Sequence, residues 1–173
     1  RAGKSNPLII NNIIERASVS APLKDSMIKI LATGFGSGFS PVAPVTIGTA
    51  VGVFICLAGY SLPWAFRLVF VAAICAVSIY IAGRAEALFG KKDDQRIVID
   101  EIAGLQVTML PVAVTGLHLC LAFVLFRIFD IWKPYPVHRL QNLPGGWGVV
   151  ADDLGAGVYA GLLLLLLTTI FKF

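Results

Sequence analysis

The stretch Ile102 to Phe129, IAGLQVTMLPVAVTGLHLCLAFVLFRIF, decides how this chain is organised. It is too long for one neat membrane crossing of roughly 20 residues and too short for two full ones. Pro111 and Gly116 bracket a break in its middle, because proline removes a helix hydrogen bond and glycine weakens a helical backbone. The sequence therefore predicts two short helices forming a hairpin. A hairpin returns the chain to the side it left, so Asp100 and Glu101 before it and Asp130 after it share one face. A single crossing would separate them across the membrane.

The surrounding chain is equally apolar. Of 173 residues 57% are hydrophobic and 14% charged, with a mean hydropathy of +0.84, well beyond an ordinary water-soluble domain. No Asp, Glu, Lys or Arg falls in the 37 residues between Lys29 and Arg67, the 25 between Glu101 and Arg127, or the 18 between Asp153 and Lys172. Membrane spans are predicted at about Thr46 to Leu62, Trp64 to Gly83 and Leu154 to Phe171. Arg67 lies close enough to the end of the second span to snorkel. The fold class is all-α: a polytopic membrane helix bundle with a short helical hairpin in its middle.

Residues 1–30 are mixed and polar, which suits a cytoplasmic or juxtamembrane arm, and they lack the apolar run of a secretory signal peptide. The chain starts at Arg1 instead of methionine, as a trimmed chain would. Residues 31–173 read as a single membrane-embedded domain. Gly34 to Pro41 is rich in glycine and proline and reads as a loop or broken helix. The connections Arg84 to Asp100 and Asp130 to Asp153 are polar and must face water.

Five Lys/Arg precede the first span, four lie from Arg84 to Arg96 and two from Lys133 to Arg139. Basic loops stay cytoplasmic, so with the hairpin every cluster of carboxylates falls on the cytoplasmic side. The formal charge of +4 reflects these loops and suits anionic headgroups; no aromatic and arginine stripe suggests nucleic acid. Cys56, Cys75 and Cys120 sit in apolar runs without pairing or zinc spacing and read as small apolar fillers. Cys120 is seven positions before Arg127, one too many for a cysteine-phosphatase loop.

Five of the ten acidic residues, Asp100, Glu101, Asp130, Asp152 and Asp153, stand at the ends of apolar helices. Ionisable groups at membrane depth are costly and mark functional sites by default. Clustered carboxylates suit a hard cation such as Mg²⁺, which leaves room for phosphate oxygens. Arg127 offers a fork and Lys133 a point charge for phosphate. The competing reading is simple pairing of each carboxylate with a neighbouring cation, as for Arg127 and Asp130 three positions apart. Gly145 to Asp153 is a glycine-rich approach to two aspartates at an expected helix start, where an N-cap is the ordinary role.

Asp100-Glu101-Ile102-Ala103-Gly104, the Arg127 to Pro136 segment, and Gly146-Trp147-Gly148 through Asp152-Asp153 with Ala156-Gly157 resemble the signature blocks of the phosphatidylglycerophosphatase A family. Gly34-Phe35-Gly36-Ser37-Gly38 with Ser40-Pro41, Pro44, Thr46 and Gly48 resembles its amino-terminal block. Val45 stands where the family usually has glycine in a Pro-Gly-Thr step. The resemblance runs from about Ala32 onward. It implies a Mg²⁺-dependent, multi-pass phosphatase of the bacterial inner membrane that converts phosphatidylglycerophosphate to phosphatidylglycerol and phosphate.

On this reading Asp100, Glu101, Asp130 and Asp153 hold the metal, and Asp152 joins them as a catalytic carboxylate. Arg127, Lys133, Thr46 and Ser37 bind the phosphate. The partners are the lipid substrate and the membrane, and nothing in the sequence signals an oligomeric state. Two alternatives have less support. A phosphatidyl-group transferase would need an Asp-Gly…Ala-Arg…Gly…Asp…Asp pattern that the chain lacks. A small transporter or ion-coupled carrier would also use intramembrane carboxylates, but the chain shows no convincing internal repeat.

Overall fold

The computed structural model describes residues 24–59 and 62–172, and within them the chain is helical, with no strand. Helix α1 covers 24–32 of the described residues, and a single 3₁₀ turn follows at Ser37–Phe39. The remaining helices are α2 (Pro44–Ala58), α3 (Trp64–Phe89), α4 (Ile99–Met109), α5 (Gly116–Trp132), α6 (Val137–Leu140) and α7 (Gly146–Phe171). The arm expected over 1–30 lies outside the described residues up to residue 23.

Helix α4 is the axis of the molecule. Every residue from Ile99 to Met109 is buried except Val107, which is half-buried, and α2, α3, α5 and α7 all pack on it. A helix buried on every side belongs inside a bundle. At 11 residues it is about 16 Å long, roughly half of what a bilayer core requires. Its first turn carries Asp100 and Glu101, on the side where the helix dipole favours negative charge.

At its other end, the Arg67 Nη2 donates to the carbonyls of Met109, Leu110 and Val112 at 2.8, 3.1 and 2.9 Å. These are groups a helix terminus leaves without partners. Arg67 therefore reaches inward onto the end of α4, correcting the expectation that it snorkels to the interface.

The turn at 110–115 separates α4 from α5 where Pro111 and Gly116 predict it, and Thr115 caps α5 by accepting from the His118 N–H at 3.2 Å. The start of α4 and the end of α5 meet at one cavity, so the hairpin returns as expected. Helix α7 crosses α4 very closely. A methyl group at Gly104 would stand 2.4 Å from the Phe126 ring and 2.8 Å from the Asp153 carbonyl, and one at Gly157 would stand 2.4 Å from the Gly104 carbonyl. Glycine at both positions lets the backbones touch. Thr108 Oγ1 ties the crossing, within 3.3 Å of the Gly157 carbonyl.

Three boundaries differ from the sequence reading. Helix α2 starts at Pro44, whose fixed φ and missing N–H suit a first helical position, and ends at Ala58 before Gly59; its 15 residues are fewer than the Thr46 to Leu62 span. Helix α3 continues past Gly83 to Phe89 and stops at Gly90, whose φ of 66° is left-handed. Helix α7 begins at Gly146 instead of Leu154, so Asp152 and Asp153 lie inside it. The helix enters from Gly145 with no side-chain cap, which removes the N-cap role for either aspartate.

Helices α3 and α7, 26 residues each, are about 39 Å long, enough by length and composition to cross a bilayer. Their outer faces expose Phe66, Val69, Val77 and Tyr80 on α3 and Leu162, Leu166 and Ile170 on α7. Such continuous apolar surface suits hydrocarbon better than water.

Candidate active site

A cavity of about 400 Å³ opens where the N-terminal turn of α4, the C-terminal end of α5, the second turn of α7 and the loop after α3 converge. Seven carboxylates line it, Asp93, Asp94, Asp100, Glu101, Asp130, Asp152 and Asp153, against three cations, Lys91, Arg127 and Lys133. The five carboxylates singled out from sequence thus come together, each at most 8% exposed. They do so because the hairpin folds back and because α7 passes close enough for Asp153 to face the start of α4.

Within the cavity the acids fall into two sets. Asp100, Glu101 and Asp153 each direct a carboxylate oxygen into one cluster whose atoms lie within 4.8 Å of one another. Asp100 Oδ1 accepts from the Glu101 N–H at 3.1 Å. Glu101 Oε2 and Asp153 Oδ2 are buried with no hydrogen-bond partner among the described residues. Three buried carboxylates facing one another, two of them with an idle oxygen, are costly unless a cation joins them. Their oxygens, hard and anionic, fit a divalent cation of the Mg²⁺ type.

Asp130 and Asp152 form the second set. Asp130 pairs with Arg127 one helical turn earlier and has Lys133 Nζ at 3.9 Å. Asp152 Oδ2 accepts from Lys133 Nζ and, at 2.9 Å, from Gln141 Nε2, while its Oδ1 is buried and idle. Lys133 can reach both acids because α5 stops there. The residue takes a left-handed φ of 45° ahead of Pro134, which cannot continue the helix. Asp130 therefore stands among the paired acids and outside the cluster of three.

Ser37 and Thr46 do not line the cavity; Val45 does. The Ser37 hydroxyl donates to the Thr33 carbonyl at 3.1 Å. Three contributors had escaped the sequence reading. Gln141 gives no local signal, since only the fold brings it to Asp152. Asp94 sits in the most hydrophilic loop yet is only 6% exposed. Its partner is the Arg96 guanidinium, whose Nε and Nη2 donate to the two carboxylate oxygens at 2.8 Å each. This fork holds the Asp94 carboxyl at about 2, well below its usual range, and the Asp-x-Arg spacing was the available clue. Lys91, treated only as part of a water-facing loop, lines the cavity.

The family model for phosphatidylglycerophosphatase A matches residues 30–168. The chain belongs to the phosphatidylglycerophosphatase A family. It is similar to proteins described as phosphatidylglycerophosphatase A from Escherichia coli, 37% identical over 138 residues (78% of this chain, 80% of that one), and from Haemophilus influenzae, 33% identical over 153 residues (87% and 91%). A Bacteroides thetaiotaomicron protein, provisionally named a phosphatidylinositol-3-phosphatase, is 40% identical over 143 residues, 78% of this chain and 89% of its own. No solved structure matches the chain significantly. Membership of the phosphatidylglycerophosphatase A family makes the protein a phosphatase, which sets aside the carrier alternative.

Proposed function

We propose that the protein is a Mg²⁺-dependent phosphatase that hydrolyses phosphatidylglycerophosphate to phosphatidylglycerol and inorganic phosphate, a step of phospholipid biosynthesis. The observation that carries this is the buried cluster of Asp100, Glu101 and Asp153, with idle oxygens on Glu101 and Asp153, in one cavity with Lys91, Arg127 and Lys133. The family model and the two relatives named for this lipid support the substrate.

In this reading Asp100, Glu101 and Asp153 would hold the Mg²⁺, and Asp130 lines the same cavity. When bound, the ion supplies Lewis acidity to the phosphoryl group. Arg127 and Lys133 exchange part of their bonding to Asp130 and Asp152 for the phosphate oxygens, orienting the monoester. Asp152, held at Oδ2 by Lys133 and Gln141, presents Oδ1 as the base. It takes a proton from the attacking water as the new P–O bond forms. The same proton returns to the glycerol oxygen as the old P–O bond breaks.

We read the protein as a multi-pass protein of a bacterial inner membrane, with residues 31–173 as a single domain. The lengths and apolar outer faces of α3 and α7 support the crossings, and the family match over 30–168 supports the single domain. Lys91 and Lys133, from two basic loops, line the cavity with the carboxylates. That supports a site on the cytoplasmic side.

The 40% identical relative favours a second headgroup, a phosphatidylinositol 3-phosphate. Phosphate release by the detergent-solubilised protein from phosphatidylglycerophosphate, phosphatidylinositol 3-phosphate and phosphatidic acid, with Mg²⁺ or with EDTA, tests both readings. The expected result is Mg²⁺-dependent release, fastest from phosphatidylglycerophosphate. Release undiminished by EDTA would remove the metal; a preference for the inositol lipid would replace the substrate.

A further inference from the structure

The cations of the cavity are not equivalent. Arg127 and Lys133 are already engaged with Asp130 and Asp152. Lys91 lines the same cavity from the loop after α3 and is exposed, with no salt bridge to a carboxylate among the described residues.

The loop that carries it is pinned on both sides. Gly90 N–H donates to the Glu86 carbonyl at 2.9 Å, and Asp93 N–H to the Glu86 carboxylate at 2.8 Å. Beyond it the Asp94 and Arg96 fork closes the turn, with the guanidinium 4.2 Å from the centre of the Phe89 ring. Lys91 is therefore an exposed cation on a pinned loop, lining the same acidic cavity as the buried cluster.

A substrate of the proposed class carries two phosphorus centres: the monoester that is hydrolysed and, a headgroup away, the diester that joins it to the diacylglycerol. A cavity of about 400 Å³ falls within the range of small-ligand sites and leaves room for a headgroup as well as the monoester. We propose that Lys91 is a specificity-determining residue that binds the lipid's phosphodiester, while the buried cluster, Arg127 and Lys133 take the monoester. The assignment rests on the lipid-phosphatase reading above. It holds for any headgroup bearing both phosphates, and it makes diester-containing lipids better substrates than phosphatidic acid, whose single phosphate must enter the cluster.

Lys91→Gln and Lys91→Arg test it through inhibition constants measured against phosphatidylglycerophosphate turnover. The probes are phosphatidylglycerol in mixed micelles, which carries only the diester, and inorganic phosphate, which mimics only the monoester product. Loss of one charge-assisted contact at a partly solvated position should weaken phosphatidylglycerol inhibition and raise the lipid KM about tenfold in Lys91→Gln. Phosphate inhibition should stay put, and Lys91→Arg should restore the lipid values. Equal weakening of both inhibitors, or of neither, would overturn the assignment of Lys91 alone. Failure of the unmodified enzyme to turn over the lipid would instead overturn the substrate reading, and this assignment with it.

Discussion

The two sets of acids in the cavity lie side by side, yet they answer the same physical problem in opposite ways. Asp130 and Asp152 are buried with cations already bonded to them. Asp100, Glu101 and Asp153 are buried just as deeply and face one another, and Glu101 Oε2 and Asp153 Oδ2 have no hydrogen-bond partner among the described residues. Burial without a counter-charge costs several kcal/mol per ion, a cost that the cation of the proposed function would offset. The paired set already holds its counter-charges, although Asp152 Oδ1 is idle, and its bonds can be exchanged for phosphate oxygens.

The largest effect should come from breaking the unpaired set. Glu101→Gln or Asp153→Asn removes one of the three charges and one anionic oxygen, and turnover should fall by about 10³-fold, the scale on which loss of one preorganised electrostatic group is felt. Thermal stability without Mg²⁺ should hold or rise, because one of the mutually repelling charges is gone. The unmodified protein should gain Tm on adding Mg²⁺, as any ligand that binds only the folded state ensures, and the variants should lose that gain. A variant that Mg²⁺ still stabilises fully would move the metal elsewhere.

A smaller effect, of opposite character, is expected in the paired set. Lys133→Met keeps the stem but strands the Asp152 carboxylate, leaving it only Gln141. Breaking a buried pair costs about 3–5 kcal/mol, and Lys133, with 27% of its side-chain surface exposed, should fall below that range, at about 2 kcal/mol. Asp152→Asn alone should cost less in stability, because Lys133 retains Asp130 at 3.9 Å. A double-mutant cycle in detergent should show the two changes coupled. Additive effects would mean that Lys133 does not hold Asp152.

How much of this the sequence could announce follows from the range of each signal. The break at Pro111 to Gly116 and the placing of Asp100, Glu101 and Asp130 at helix ends are local, and each stands in the structure where the residues put it. What failed was the register of α7. Gly145 to Asp153 read as a glycine-rich approach to a helix starting near the two aspartates, yet the helix starts at Gly146. A methyl at Gly146 would lie 1.8 Å from the Ile79 carbonyl of α3, so this glycine serves close packing between helices. The division of the acids into paired and unpaired sets was not legible either. It depends on Lys133 reaching across to α7 and on Gln141 arriving from the end of α6, contacts between separate elements that no local pattern announces.

The smallest effect belongs to a third case that completes the comparison, an acid paired at the surface. Asp94 is held at about 2 against a usual value of 3.8 by the Arg96 fork, and the Arg96 side chain is 42% exposed, so solvent screens the pair. A carboxyl whose value is depressed on folding stabilises the folded state above its unfolded value, and that contribution disappears as pH falls through the folded one. Arg96→Gln should therefore lower Tm slightly at pH 5 to 7, and the difference from the unmodified protein should shrink between about pH 4 and pH 2. High salt should shrink it as well, whereas the Lys133 and Asp152 coupling, desolvated on the Asp152 side, should persist. If salt erased both equally, depth in the cavity would not be what separates the paired acids from the surface fork.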